Sequence, residues 1–315
     1  MSLDARRGRH LPLRYIAATV AVIVVIIIIS ATALPVHSLS MEERRIVPLE
    51  EGITEINLDV ISIRGEVDVG FTDLYGEAVA ISTQLSGSAS VLAEKTPLNI
   101  SVEYNSDALT GVIDVEVFVD IYAPWPYHSL KESMCEILID RSLAANISIA
   151  VVTGGTTIRT IDGVNIMGLN IDVTSKGSTV HLNNGTTLSG DISIQSATGG
   201  SDLYWDNVTV IGDHQIVMNE STGDLSVRIY QIDDMGGNIT FLSKKVGKPL
   251  LFHMELGEDT GALVNVTSFY GKVKLDYSDR FNYCVNDRIK SQYSATSWFD
   301  VELENFVGDI DVRCM

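Results

Sequence analysis

Carboxylates are the groups in this chain best supplied for chemistry, and two places gather them: Asp233-Asp234, and Asp276 with Asp279. A pair of carboxylates on one face can divide acid and base duties in the cleavage of a glycosidic bond. With 41 acidic residues among 315, however, such neighbours arise by accident. Other chemistries lack their signatures: there is no H-E-x-x-H, no G-x-S-x-G and no P-loop. His37, His128, His181, His214 and His253 do not fall at metal-ligand spacings, no C-x-x-C occurs, and no EF-hand loop is present. The residues therefore predict a protein that is not an enzyme, with no catalytic residue, no cofactor and no metal site. Weak association of divalent cations with the acidic exterior is the most that the carboxylates imply.

Seven N-x-S/T sequons stand at Asn99, Asn146, Asn184, Asn207, Asn219, Asn238 and Asn265. In five the middle residue is Ile or Val. If that residue points inward on a strand, Asn and Ser/Thr both face solvent, where a glycan can be attached. Tyr122, Trp125 and Tyr127 form an aromatic group interrupted by two prolines, a candidate contact for a sugar or a protein partner, or a plug at the end of a core. Of the three cysteines, Cys284 and Cys314 both lie near the C-terminus and are the expected disulfide, while Cys135 reads as a small strand residue. Lys244, Lys245 and Lys248 read as a solvated turn.

The elements that must position these groups begin with an apolar run. Residues 15–36 carry no charge and follow Arg6, Arg7, Arg9 and Arg14. At ~1.5 Å per residue such a helix spans ~33 Å, enough for a bilayer core. The leading arginines place a tail of residues 1–14 in the cytoplasm and the rest of the chain outside. The alternative is a signal peptide cleaved after Ala33. Residues 37–49 read as a linker and 50–315 as a β-rich extracytoplasmic domain. From residue 15 onward, 18 basic residues face 40 acidic ones. That balance argues against nucleic acid or an anionic lipid surface as partner. An apolar content of 45% excludes disorder.

Beyond the run, period-2 alternation dominates. Ile113 to Ile121 places Ile and Val on one face and mostly acidic residues on the other, and Asn105–Gly111 reads as the hairpin loop before it. The best helical candidate, Ser129–Ser133, is short. A motif of glycine, a small or acidic residue, then apolar-x-apolar recurs at Gly65, Gly190, Gly223, Gly237 and Gly308. It reads as a corner in which glycine takes a φ > 0 turn before a short strand. Apolar strand centres at Ile192, Leu203, Ile216, Leu225, Ile239, Phe252, Leu263 and Val273 lie too close together for crossover helices. After Pro126 only Pro249 occurs, which suits long backbone ladders. The expectation is an all-β, β-solenoid-like repeat with coils of roughly 20–25 residues. An antiparallel β-sandwich is the alternative.

These corners, Ser/Thr-Gly before strands, and a single N-terminal anchor resemble the "putative adhesin" family of bacterial and archaeal envelope proteins. Glu136–Leu143 followed by Ile147–Gly155 is similar to that family's entry into its repeats, and the resemblance covers about residues 50–315. Pro124–His128 and the segment around Cys284 depart from it as insertions. The resemblance implies a repeat-type β fold and a cell-surface address, and no catalytic residues. The expected function is a non-enzymatic adhesive or structural contact with other envelope proteins or glycans. The alternatives are the sensory part of an envelope-stress system and a carbohydrate-active β-helix enzyme. Because residues 15–36 should stay in the bilayer, the protein is expected to remain in the membrane pellet through high-salt and carbonate washing. A mature N-terminus at Leu34 in a soluble extracellular fraction would exclude the anchor.

Overall fold

The computed structural model describes residues 36–90, 98–121, 128–284, 286–292 and 294–315, together with Val22. Residues 1–14, almost all of the apolar run, and the aromatic group Tyr122, Trp125 and Tyr127 lie outside the described residues. Among those described, no helix is long and apolar enough to cross a membrane.

Among the described residues from 36 onward every element is a strand. The first seven are β1 (Val36–Pro48), β2 (Glu55–Arg64), β3 (Glu66–Thr72), β4 (Glu77–Ser90), β5 (Leu98–Asp107), β6 (Val112–Ile121) and β7 (His128–Asp140). A repetitive middle follows: β8 (Ala144–Thr153), β9 (Thr156–Arg159), β10 (Asn165–Val173), β11 (Gly177–Leu182), β12 (Thr187–Leu188), β13 (Ile192–Ser196) and β14 (Gly200–Asp206). It continues through β15 (Thr209–Val210), β16 (Asp213–Glu220), β17 (Leu225–Gln231), β18 (Asn238–Lys245), β19 (Leu250–Leu256), β20 (Thr260–Tyr270) and β21 (Val273–Tyr277). The last four are β22 (Phe281–Cys284), β23 (Arg288–Ser291), β24 (Ser297–Val307) and β25 (Ile310–Cys314).

These strands form two large mixed sheets, neither closed on itself, with orders β1-β4-β7-β3-β9-β11-β14-β17-β19-β25-β21 and β22-β23-β20-β24-β18-β16-β13-β10-β8-β2-β6-β5. Through the middle the chain alternates between the sheets, and each strand pairs in parallel with the one a coil earlier. Ile147, Leu169, Ile192, Ile216 and Phe241 are successive partners, spaced 22, 23, 24 and 25 residues apart. Antiparallel pairing, which the sandwich alternative requires, is confined to the two ends.

Alternation creates the core. Every second residue of β8, β13, β17 and β18 turns inward and is buried. The largest fully buried side chains include Trp205, Phe241, Phe252 and Phe299. Trp205 meets Phe299 edge to face at 5.7 Å, and Phe241 meets Phe252 at 5.8 Å. The indole N–H of Trp205 donates to Oε1 of buried Gln231 at 2.7 Å, so the polar handle is satisfied within the core.

Chain order and strand order part at both ends. The coil β2–β3 lies between β6–β7 and β8–β9, and β24–β25 lies between β18–β19 and β20–β21. The coils β2–β3 and β24–β25 are thus paired on both sides, while β1 with β4–β7 at one end and β20–β23 at the other lie outside them.

Several expectations change. All of the expected linker 37–49 except Leu49 lies in β1, paired antiparallel with β4, with Leu39 and Val47 turned inward on the sheet. Ser129–Ser133 belongs to β7 rather than to a helix. At β20 the inward residues are Ala262 and Val264, so Leu263 faces outward. Lys245 is no solvated turn residue. It is 2% exposed, faces Glu220 across the β16–β18 ladder, and donates its Nζ–H to the Gly223 carbonyl. Glu220 Oε1 in turn accepts the Gly223 N–H at 2.8 Å. Burial holds the Lys245 amine below its ordinary range, opposed by the Glu220 carboxylate.

The glycine corners also work by a different cause at some positions. Gly65 and Gly308 do have φ of 119° and 129°. Gly190, Gly223 and Gly237 do not. At Gly223 an added Cβ would lie 1.1 Å from the Gly199 carbonyl oxygen of the neighbouring coil. Gly223→Ala should therefore lower the melting temperature by roughly 2–10 °C, from an overpacking cost of about 1–3 kcal/mol. Gln215→Ala, on the solvent side of β16, should leave melting unchanged. Equal melting curves would remove the close-approach explanation.

Candidate functional site

Side chains pointing away from the core form rows, because parallel strands in register align every outward position at a spacing of ~4.8 Å. One row on the 11-stranded sheet differs from the acidic remainder. It runs Arg159–His181–Tyr204–Arg228–His253–Arg313, each the direct partner of the next, and ends at Asp276. Each member from His181 onward sits between two inward residues, as in Val180-His181-Leu182 and Val227-Arg228-Ile229, so the alternation that builds the core also fixes the direction of the row.

Ring contacts order its centre. His181 stacks on Tyr204 with centroids 4.4 Å apart and planes 4° from parallel, and the Arg228 guanidinium lies 5.2 Å from the centroid of the same tyrosine. Tyr204 thereby presents its edge and hydroxyl outward. Burial, and then the Arg159 charge, lower the His181 pKa from its ordinary value.

Parallel rows flank this one. On one side Asp68, Thr157, Thr179, Asp202, Ser226, Leu251 and Asp311 are successive partners. Asp68 lies 4.0 Å from Arg159, and Asp311 lies 3.6 Å from Arg313. Burial raises the Asp202 carboxyl, against the opposing pull of Ser226 and Arg228. On the other side Asp206, Tyr230 and Glu255 are partners across β14, β17 and β19. Between the rows lies an open groove of about 610 Å³ that includes Asn183, Tyr204, Asp206, Arg228, Tyr230 and Glu255.

The residues singled out in the sequence do not gather here. Asp233 and Asp234 are turn residues: the Asp233 carbonyl accepts from Gln231 Nε2, and Asp234 Oδ1 accepts from the Gly236 N–H and the Thr296 hydroxyl. Asp276 closes the basic row beside Arg313. Among the described residues no three His, Cys, Asp or Glu side chains come together to hold a metal ion. The sequon asparagines lie on outward positions of strands or in turns. Asn99, Asn146, Asn184 and Asn238 are exposed, and Asn207, Asn219 and Asn265 half-exposed. The amide nitrogens of Asn146, Asn207 and Asn238 already donate to Asn57, Asp206 and Asp213.

The expected Cys284–Cys314 disulfide is not formed, and all three cysteines are free. Cys314 points into the core from β25 of the 11-stranded sheet, whereas Cys284 ends β22 in the other sheet. Proximity in sequence therefore does not become proximity in space.

No family model and no curated protein matches the chain. Among solved structures it is similar to a "putative cell adhesion protein" from Clostridium sporogenes, at 12% identity and TM-score 0.41, over 88% of this chain and 100% of that one. It is also similar to a "putative adhesin" from Bacteroides fragilis, at 13% identity and TM-score 0.39, over 88% and 97%. A "putative lipid binding protein" from Parabacteroides distasonis aligns at 9% identity and TM-score 0.36, over 87% and 96%.

Burial raises the Cys135 thiol to about 11 and the Cys314 thiol to about 12, so neither supplies thiolate at neutral pH. Alkylation of the folded protein should label Cys284 first, and Cys135 and Cys314 only after unfolding. A disulfide-linked Cys284–Cys314 peptide in a non-reducing map would contradict this.

Proposed function

We propose that this is a membrane-anchored surface protein whose role is contact rather than catalysis: adhesion, or a structural association within the cell envelope. The observation that carries the reading is the row Arg159 to Arg313 with its flanks, a continuous polar and aromatic face laid across six neighbouring strands. A face built from repeated rows offers many similar contacts side by side, so weak individual contacts are multiplied by avidity when many copies share one membrane. Residues 15–36 serve as the single span, with the N-terminus in the cytoplasm and the β-rich part outside. The apolar run leads directly into β1, which brings the antiparallel end of the 11-stranded sheet to the membrane. Other envelope proteins or glycans are the partners. The acidic exterior keeps copies soluble and holds divalent cations only loosely. The seven sequons, with Ile100, Ile147, Val208, Ile239 and Val266 turned toward the core side, display their asparagines for glycan attachment.

Beads carrying the full-length protein should retain envelope proteins or glycans from the host, and beads carrying the heat-unfolded chain should not. Polysaccharides incubated with the protein should be recovered unshortened. Equal retention on both kinds of bead, or reproducible cleavage of a polysaccharide, would overturn the contact reading.

A further inference from the structure

We infer that the groove across β14, β17 and β19 is a binding site for a neutral, linear glycan lying along the stacking direction of the coils. The inference rests on the contact role proposed above and names its ligand. Three neighbouring strands each present two outward side chains: Tyr204 and Asp206, Arg228 and Tyr230, His253 and Glu255. One row therefore carries hydrogen-bond donors, the phenol of Tyr204, the guanidinium of Arg228 and the imidazole of His253. The other carries Asp206 and Glu255 on either side of Tyr230, each one strand away.

This grid has the chemistry of a polyol. A pyranose ring has an apolar C–H face for an aromatic ring and, at its rim, hydroxyls that both donate and accept. Tyr230, 43% exposed, stands where such a face would rest. Asp206 and Glu255 accept from hydroxyls, while Arg228 and His253 donate to hydroxyl and ring oxygens. Tyr204 contributes its hydroxyl, since His181 and Arg228 cover its ring. From Asp206 to Glu255 the grid spans about 10 Å, about two sugar rings.

Other ligand classes fit less well. A carboxylated or sulfated polymer would meet Asp206 and Glu255 directly, on a chain whose net charge is −19. A cationic ligand would meet Arg228.

The test is calorimetric titration of the full-length protein in mild detergent with cellohexaose, laminarihexaose and maltohexaose, and separately with polygalacturonate. At least one neutral hexasaccharide should bind with little dependence on salt. Tyr230→Ala and Arg228→Ala should each weaken it about tenfold or more, while Gln215→Ala, exposed on β16 of the other sheet, leaves it unchanged. Tyr230→Phe should retain binding, which separates ring contact from a folding defect, and melting curves of all variants should coincide. Absence of binding to every neutral sugar, or salt-sensitive binding to polygalacturonate alone, would overturn the inference. So would shortened oligosaccharides after incubation, which would instead make Asp206 and Glu255 a hydrolytic pair. The bead assay run with the same variants separates the two readings. If retention persists unchanged in Arg228→Ala and Tyr230→Ala and no sugar binds, the glycan groove fails and the contact role stands. If a neutral sugar binds while beads retain nothing, the groove stands and the adhesive role fails.

Discussion

Backbone lying directly on backbone at one corner is the constraint on which the remainder of this protein depends. Where the chain passes from the 14-stranded to the 11-stranded sheet, glycines stack coil on coil. A Cβ on Gly154 would meet the Gly65 carbonyl oxygen at 1.9 Å, one on Gly177 the Gly200 oxygen at 1.7 Å, and one on Gly308 the Gly247 oxygen at 2.1 Å. Only at that separation can the strands on both sides pair without a break. The ladder then forces every coil into register with its neighbours, and the register produces the rows. Core rows inside and the polar grid outside are two faces of one corner geometry.

The same corner carries a buried polar cluster. Ser196, Glu220, Lys245 and Asn305 are successive partners facing inward, in a place where an apolar row would be expected. Glu220 and Lys245 hold the Gly223 peptide from both sides, and Ser201 donates to Glu220 Oε2 at 3.1 Å. Two buried charges joined through one backbone segment add little net stability against apolar substitutes, yet losing one leaves the other buried without its opposite charge nearby. Their role here is to fix the path of the corner where glycine provides no side chain of its own.

Stacked coils are weakest at their ends, where a strand edge is unpaired and the chain terminus frays. This chain answers by inserting each terminal coil one position inward. Phe241 of β18 pairs with Val301 of β24, which pairs in turn with Val264 of β20. The terminal strand β25 has a partner on each side, and Lys274 on the outermost strand β21 lies 3.3 Å from Asp311. Outer coils are finished by antiparallel additions, the short β22–β23 hairpin at one end and the longer β5 and β1–β4 at the other.

Much of the local architecture was legible in the residues. Alternation named the strands, the Gly-x-apolar-x-apolar motif located corners at Gly65 and Gly223, and the middle residues of most sequons pointed to the inward side. Those are short-range features, set by the period of a strand and the steric freedom of glycine. The basic row left a trace as well, since apolar-x-apolar triplets enclose His181, Tyr204, Arg228, His253 and Arg313. That trace says only that each side chain faces outward, and not which ones stand together. Partnership is decided by register, and the spacing between partners grows from 22 to 25 residues through successive coils, then jumps to 60 where β24 is inserted. No fixed period could align Arg228 with Tyr204 or Asp206 with Glu255. For the same reason Lys245 read as a surface turn and Cys284 with Cys314 as a pair. Burial of the lysine depends on a corner completed by the neighbouring coil, and the two cysteines end on different sheets. The sequence by itself determined the alternation that turns most apolar residues inward and many of the corners, because those follow from local geometry. The tertiary structure alone decided which outward residues become neighbours, because that requires the coils to be stacked.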